Sequence, residues 1–124
     1  MEARLSQVGV VMLGVLDLAR SVAFYRDLLG LTLQQEIPGD FAFFQAGGVT
    51  LALSIPHAKN SAQVVGATEV VFSVEDVRAT YDALRARGVV FANEPRNVTG
   101  SLWAANFADP DGHRLSIFGP ERKQ

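Results

Sequence analysis

Residues 15–31 read VLDLARSVAFYRDLLGL and residues 74–89 read VEDVRATYDALRARGV, and the two stretches follow one pattern. Each has near its start an aspartate that can accept hydrogen bonds from the first turn of a helix. Apolar residues at helical spacing follow, and then a glycine that can end the helix. The spacing from Asp17 to Asp76 relates the two copies, and we call it the first offset. The chain therefore contains an internal repeat, and each copy includes one helix.

Strand-forming sequence follows each of the two predicted helices. Residues 41–55 read FAFFQAGGVTLALSI and residues 102–118 read LWAANFADPDGHRLSIF, and a turn-forming segment divides each run. The spacing between the last glycines of these turns, Gly48 and Gly112, is the second offset. It is larger than the first, so the second copy is longer between its helix and its final hairpin, and loops tolerate such insertions. Each copy is interpreted as a βαβββ module.

The repeat predicts an α+β fold made of two βαβββ modules within one domain, residues 1–124. The modules are placed at about residues 5–55 and 67–119. The segment between them, residues 56–66 (PHAKNSAQVVG), has no clear periodicity and is interpreted as a linker or a lid. A chain of this length with 48% hydrophobic residues can bury one continuous core.

Composition excludes several classes of partner. The chain has 11 Lys and Arg against 13 Asp and Glu, a formal charge of −2 that does not favour nucleic acid. It has no cysteine, which removes disulfides and thiolate metal sites and fits a reducing compartment. The apolar residues 8–16 are far fewer than the roughly 20 of a membrane span, and no signal-peptide cleavage site follows them. We interpret them as a buried strand and expect a cytoplasmic protein without membrane partners.

Three stretches together resemble the vicinal oxygen chelate superfamily of glyoxalases, bleomycin-resistance proteins and extradiol dioxygenases: VLDLARSVAFYRDLLGL, GATEVVFSVEDVRATYDALRARGV and DPDGHRLSIF. The resemblance implies that the two modules form a curved, partly open mixed barrel around a cavity, commonly in a homodimer. We expect a homodimer also because two open modules leave apolar strand faces and edges that a partner can cover. The superfamily contains isomerases, dioxygenases, thiol transferases and antibiotic binders, so the fold does not decide the reaction.

The resemblance also implies where metal-dependent members hold their ion. Their ligands stand seven residues before the aspartate that starts each helix and four residues after the glycine of each final turn, at positions that here are Val10, Ala52, Glu69 and Ser116. A divalent ion needs about three imidazole or carboxylate donors, and only Glu69 qualifies. We therefore expect no metal and no other cofactor. If these positions were misplaced, Gln7, Gln45 and Ser54 would supply nearby polar groups, but they are also poor ligands.

Two interpretations of Glu69 stay open. It is either an ordinary solvent-facing residue of a half-exposed strand or, in the register that the resemblance implies, a residue that points into the cavity. Val71 and Ser73 share its face of the strand, while Val70 and Phe72 lie on the other. Pointing inward, Glu69 would be a general base or a hydrogen-bond anchor for a polar ligand.

Four further residues are candidates for ligand contact. Ser116 would orient a ligand without acting as a nucleophile, because no histidine is placed to activate it. Asn106 and Trp103 lie near the last hairpin, and Trp103 could enclose a planar ligand, although a core or dimer-interface position explains it equally well. His57 would contact a substrate as an acid or base only if the linker folded over the cavity. His113, in the turn, is expected to face solvent.

Three functions follow from these residues. The first is a metal-free protein that binds a small organic molecule, for example an aromatic or cationic one, with Glu69 as an acidic anchor. The alternative is an enzyme, a lyase, isomerase or dioxygenase, that uses Glu69 as a base or holds a metal at a non-standard site. The third is an interaction protein that has no ligand.

Overall fold

The computed structural model describes residues 3–60 and 68–122. The chain divides into two compact units, and the described ranges belong to one unit each. We call residues 3–60 unit 1 and residues 68–122 unit 2. Each unit holds one copy of the sequence repeat. Within the described residues, no helix is long and apolar enough to span a membrane.

Unit 1 is a four-stranded sheet with two short helices. Its strands are β1 (Val10–Gly14), β2 (Thr32–Ile37), β3 (Phe41–Ala46) and β4 (Val49–Ser54), and its helices are α1 (Leu18–Ala23), continued by a π-helical turn at Phe24–Leu28, and α2 (Ile55–Asn60). The strand order is β1-β4-β3-β2, in which β1 runs parallel to β4 and the other neighbours are antiparallel.

Unit 2 repeats this arrangement with one helix. Its elements are β5 (Glu69–Ser73), α3 (Val77–Ala86), β6 (Arg96–Thr99), β7 (Leu102–Ala108) and β8 (Arg114–Pro120). The strand order is β5-β8-β7-β6, in which β5 runs parallel to β8. Parallel strands can pair only when a long crossover connects them. Here α3 and two strands separate β5 from β8 in the chain, so this condition is met.

The two sheets match residue by residue. In unit 1 Val10 pairs with Thr50, and in unit 2 Glu69 pairs with Arg114. Val10 and Glu69 are related by the first offset, and Thr50 and Arg114 by the second, as the repeat in the sequence predicts. The α+β class and the two βαβββ modules are therefore confirmed.

Each helix begins at the aspartate that the repeat singled out. Asp17 Oδ1 accepts a hydrogen bond from the backbone nitrogen of Arg20 at 3.1 Å, and Asp76 Oδ1 accepts one from Ala79 at 3.2 Å. These bonds satisfy amide groups that have no partner inside the helix. Beyond α3 the chain turns at Gly88, whose φ of 108° is a conformation that side chains with a β-carbon rarely adopt.

One face of each sheet packs against the helix of its own unit. In unit 1 the ring of Tyr25 lies 6.0 Å from that of Phe44, and both residues are fully buried. In unit 2 Tyr81 of α3 lies 4.7 Å from Phe91, which lies 5.0 Å from Phe107 of β7. The opposite face of each sheet does not take part in this aromatic packing, and in unit 1 helix α2 lies against its end, where a β-carbon on Gly14 would meet Ala58.

Two features of unit 1 differ from what the sequence indicates. Residues 56–60 of the predicted linker are helical and belong to α2, which packs against β1 and is capped by Ser54, whose Oγ accepts a hydrogen bond from the backbone nitrogen of His57 at 2.9 Å. The rest of the predicted linker, residues 61–66, lies outside the described residues. The strand predicted to be buried, β1, is instead an edge strand on which Val10 is 51% exposed.

Candidate functional site

The candidate site lies on the face of the unit 2 sheet opposite to α3. Phe107 of β7 and its partner on β8, Leu115, are buried on the side of α3. Because neighbouring strand residues point to opposite faces, Asn106 and its partner Ser116 lie on the other side. The ladder registers place three charged residues on that same side, and we call the set the polar face: Glu69, Arg96, Asn106, Arg114 and Ser116.

The polar face is joined by a chain of contacts across four neighbouring strands. Glu69 Oε2 accepts a hydrogen bond from Asn106 Nδ2 at 2.8 Å and lies 3.7 Å from Arg114 Nη2. On the other side of the amide, Asn106 Oδ1 accepts a hydrogen bond from Arg96 Nη2 at 3.4 Å. The carboxylate accepts and the guanidinium donates, so the two neighbours together fix which way the Asn106 amide points.

Asn106 is also held through its backbone. Its nitrogen donates to Asn93 Oδ1 at 3.1 Å, and its carbonyl oxygen accepts from the nitrogen of Ala92 at 2.7 Å. The Asn93 amide is oriented in turn, since its Nδ2 donates to the carbonyl of Glu94 at 2.8 Å. The amide that carries the Glu69 contact is therefore positioned by the segment that runs beside β7.

Solvent reaches the charged groups but not the serine among them. The side chains of Glu69 and Arg114 are 31% and 51% exposed. Ser116, paired with Asn106 on β7 and Val71 on β5, is only 3% exposed. A molecule that approached this face would thus meet the carboxylate and guanidinium groups first.

The corresponding face of unit 1 has uncharged and mostly apolar residues at the same positions, with Thr50 in the place of Arg114. Val10 and Ala52 lie there, as the repeat predicts, and Phe43 takes the place that Asn106 has in unit 2. The ring of Phe43 stacks on that of Phe41, with centroids 5.9 Å apart. Unit 1 therefore offers an apolar, aromatic surface where unit 2 offers charges.

Besides Val10 and Ala52 of unit 1, two further predicted site residues do not belong to the polar face. The ladder from Leu102 to Ala108 is regular, so Trp103 lies on the side of Phe107 and α3, opposite to Asn106. Trp103 therefore does not share a face with Asn106, and its contact with a ligand stays a prediction. His57 lies in α2 of unit 1 with an exposed side chain, and its backbone nitrogen donates to the Ser54 hydroxyl that caps the helix.

The residues present do not suit a divalent metal ion. The four positions implied by the resemblance supply two apolar side chains, one hydroxyl and one carboxylate. The amide beside that carboxylate turns its nitrogen toward it, and a protonated amide nitrogen is not a metal ligand. Among residues 3–60 and 68–122, no group of three His, Cys, Asp or Glu side chains is arranged to hold an ion. The expectation of a metal-free protein remains a prediction, and no step below depends on a metal.

Neither arginine of the polar face is among the residues predicted from the sequence. Arg114 had a usable signal: once Val10 is known to pair with Thr50, the first offset leads from Val10 to Glu69 and the second from Thr50 to Arg114. Arg96 had none, since the short strand β6 has four exposed residues and no alternation that would indicate its face.

The fold and the face define a class of protein: an α+β domain of duplicated βαβββ modules with a polar sheet surface in one of them. Residues 7–117 match the family model for the Glyoxalase/Bleomycin resistance protein/Dioxygenase superfamily. The chain belongs to this superfamily, as its resemblance to the vicinal oxygen chelate proteins indicated.

Individual relatives include both enzymes and a binding protein. The chain is 32% identical over 109 residues to the glutathione transferase FosA of Serratia marcescens, covering 85% of this chain and 74% of FosA. It is 27% identical over 130 residues to a probable lactoylglutathione lyase of Synechocystis, covering 91% of this chain and 95% of the relative. The crystal structure of TnmS3, an antibiotic binding protein from Streptomyces, superposes with a TM-score of 0.79 at 23% identity, covering 97% of this chain and 100% of TnmS3. This last similarity shows the fold alone.

Proposed function

We propose that the chain binds a small organic molecule on the polar face, with Glu69 as the acidic anchor and without the metal ligands usual in the superfamily. The observation that carries the proposal is the hydrogen bond of 2.8 Å from Asn106 Nδ2 to Glu69 Oε2. It fixes the carboxylate on the sheet while 31% of the side chain stays accessible. A carboxylate held in this way can accept hydrogen bonds from N–H or O–H groups of a ligand.

The rigidity of the anchor supports a binding role. Asn106 lies in a central strand and is held by both side-chain and backbone hydrogen bonds. Binding then costs little additional ordering of protein side chains, which is the usual advantage of a preorganised site.

The residues at the metal positions of the superfamily favour binding over metal-assisted catalysis. Val10 and Ala52 have no donor atoms, and Ser116 offers a neutral hydroxyl. TnmS3, an antibiotic binding protein, has the same fold, which supports ligand capture as a role for this scaffold. We extend that kind of function, and not the identity of the antibiotic, to this chain.

An enzyme is the second candidate, and the same carboxylate favours it. Glu69 is accessible and next to a neutral amide, so it could take a proton from a bound substrate as a general base. The similarity to a probable lactoylglutathione lyase supports this candidate. A non-standard metal site would require ligands beyond Glu69 at the implied positions.

Replacement of Glu69 by Gln separates the two candidates. Wild-type protein is screened against a library of small organic molecules by thermal shift, because a ligand that binds only the folded state raises Tm. For the compounds found, Glu69→Gln should lower affinity if Glu69 is an anchor, whereas a catalytic base would lose turnover by orders of magnitude and keep most of its affinity.

The matched control is Glu75→Gln, which makes the same change of charge at an exposed residue just beyond β5. It should bind like the wild type. If no compound raises Tm, or if both variants bind equally well, the proposed anchor is wrong.

We also propose that the chain forms a homodimer in the cytoplasm. The edge strand β1 supports the dimer, since Val10 and Met12 are 51% and 41% exposed and an apolar edge strand is usually covered. Light scattering at micromolar concentration measures the mass directly. A monomer would contradict this proposal without affecting the one on Glu69.

A further inference from the structure

The polar face carries more positive than negative charge, so it is not a purely acidic site. Two guanidinium groups, those of Arg96 and Arg114, accompany the single carboxylate of Glu69. The three groups therefore carry one net positive charge at neutral pH. A cationic ligand would meet this excess unfavourably, and an anionic ligand would compensate it.

Building on the proposed function, we infer that the ligand carries an oxyanion, such as a carboxylate or a phosphate-type group, which Arg114 receives with support from Arg96. Glu69 at the same time accepts a hydrogen bond from a donor group of that ligand. The ligand class is thus a small organic acid that also has an O–H or N–H group.

Arg114 has the geometry required for this role. Its Nη2 lies 3.7 Å from Glu69 Oε2, which is an ion-pair distance but too long for a hydrogen bond. The N–H groups of the guanidinium are therefore not consumed by Glu69, and half of the side chain is exposed to solvent. A planar guanidinium of this kind can bind a carboxylate through two parallel hydrogen bonds.

Arg96 adds a second positive charge to the polar face, in addition to that of Arg114. Its contact with Asn106 Oδ1 is long, at 3.4 Å, and the side chain is exposed. Asn106 bonds to Arg96 through its oxygen and to Glu69 through its nitrogen, so one neutral residue links the basic and acidic parts of the face. The arginines and the carboxylate are thereby held on one surface without mutual neutralisation by a close hydrogen bond.

The repeat indicates that this arrangement is not a requirement of the fold. The ladder pair Glu69 and Arg114 corresponds to Val10 and Thr50 in unit 1, which forms the same parallel ladder without an ion pair. The scaffold therefore does not need these charges. Their presence only in unit 2 is better explained by a ligand than by folding.

The test compares three phenols that differ in charge: 4-hydroxybenzoate, 4-hydroxybenzamide and 4-hydroxybenzylamine. Each has the same ring and the same O–H group for Glu69, so their affinities report on charge. Binding is followed by NMR titration of the full chain. We expect 4-hydroxybenzoate to bind about tenfold more tightly than the amide, the difference expected for charge-assisted hydrogen bonds, and the amine to bind least.

Variants assign the preference to the arginine. Arg114→Gln should remove the advantage of 4-hydroxybenzoate over the amide, and Arg114→Lys, which keeps the charge but loses the planar donor pair, should retain part of it. Arg85→Gln is the control, because it removes the same charge from α3 on the other side of the sheet, where Arg85 stacks on Tyr81. It should leave all three affinities unchanged.

The outcomes distinguish this inference from the proposed function. If the amine binds most tightly, or if Arg114→Gln leaves the ranking unchanged, the oxyanion inference is overturned while binding to the Glu69 anchor stands. If Glu69→Gln does not weaken the neutral amide, the anchor is wrong, whatever Arg114 does. Failure of all three phenols to bind contradicts the oxyanion inference, while the thermal-shift screen of the wider library then decides the proposed function by itself.

Discussion

Replacement of Asn106 by Asp tests the contact chain of the polar face with a change of one atom. The substitution puts a carboxylate oxygen where an N–H donor now lies 2.8 Å from Glu69 Oε2. At that separation two unit charges repel by about 1.5 kcal/mol in bulk water and by about 6 kcal/mol at an effective dielectric constant typical near a protein surface. Because Glu69 is accessible and the two arginines flank it, we take the repulsion as about 2 kcal/mol.

The lost hydrogen bond to a charged acceptor adds about 1.5 kcal/mol. Asn106→Asp should therefore lower the free energy of unfolding by about 3.5 kcal/mol at neutral pH. Asn106→Ala removes the same hydrogen bond without adding charge, so it should cost about 1.5 kcal/mol and serves as the matched variant.

Urea denaturation of the wild type, Asn106→Asp and Asn106→Ala at neutral and mildly acidic pH measures both the charge repulsion and the loss of the hydrogen bond. As the pH falls, one carboxyl of the pair takes up a proton, the repulsion disappears and the stability of Asn106→Asp should approach that of Asn106→Ala. The reasoning is refuted if Asn106→Asp is as stable as the wild type at neutral pH. It is refuted also if its deficit relative to Asn106→Ala does not shrink in acid.

Three further predictions concern the scaffold. Ser54→Ala removes the cap of α2 and should lower the free energy of unfolding by about 1 kcal/mol in urea denaturation, and an unchanged midpoint would count against the cap. Gly119→Ala should destabilise the protein by more than about 2 kcal/mol in the same assay, because a β-carbon there would overlap the carbonyl oxygen of the residue after β5. The control is Gly48→Ala, which should be nearly neutral because the space around Gly48 is open. Equal effects of the two substitutions would contradict this account. The hydrogen bond from Arg26 holds the pKa of Asp27 below its usual value, so Arg26→Gln should raise that pKa in an NMR titration, and no rise would mean that the pair does not form in solution.

Much of the fold could be predicted because its determinants are local and repeated. The aspartate caps, the helical spacing and the turn glycines depend on a few neighbouring residues, and each occurs twice. The two offsets relate the two modules position by position, and the corresponding pairs Val10 with Thr50 and Glu69 with Arg114 confirm that relation.

The failures have physical causes that a local pattern does not contain. Helix α2 has only six residues and too little periodicity to stand out, and its cap, Ser54, lies inside the preceding strand. Trp103 and Asn106 were both candidates for ligand contact, but they lie three residues apart in one strand and therefore on opposite faces, which a list of candidates does not register.

The candidate site was only half predictable for a related reason. The position of Glu69 follows from the repeat, whereas its partners come from three other strands. Arg96 reaches Asn106 from a strand without a readable pattern, and long side chains such as arginine can point in several directions. The sequence therefore suggested an acidic anchor, while the structure places two positive charges beside it.

The most direct test of the central claim is an NMR titration of chelator-treated wild-type protein with 4-hydroxybenzoate, observed at the side-chain amide of Asn106. That amide donates to Glu69, so its signals report on the polar face itself. We predict a saturable shift of these signals that is the same with and without chelator. No shift, or a shift that appears only after a divalent metal ion is added, would contradict a metal-free site for such a ligand at Glu69.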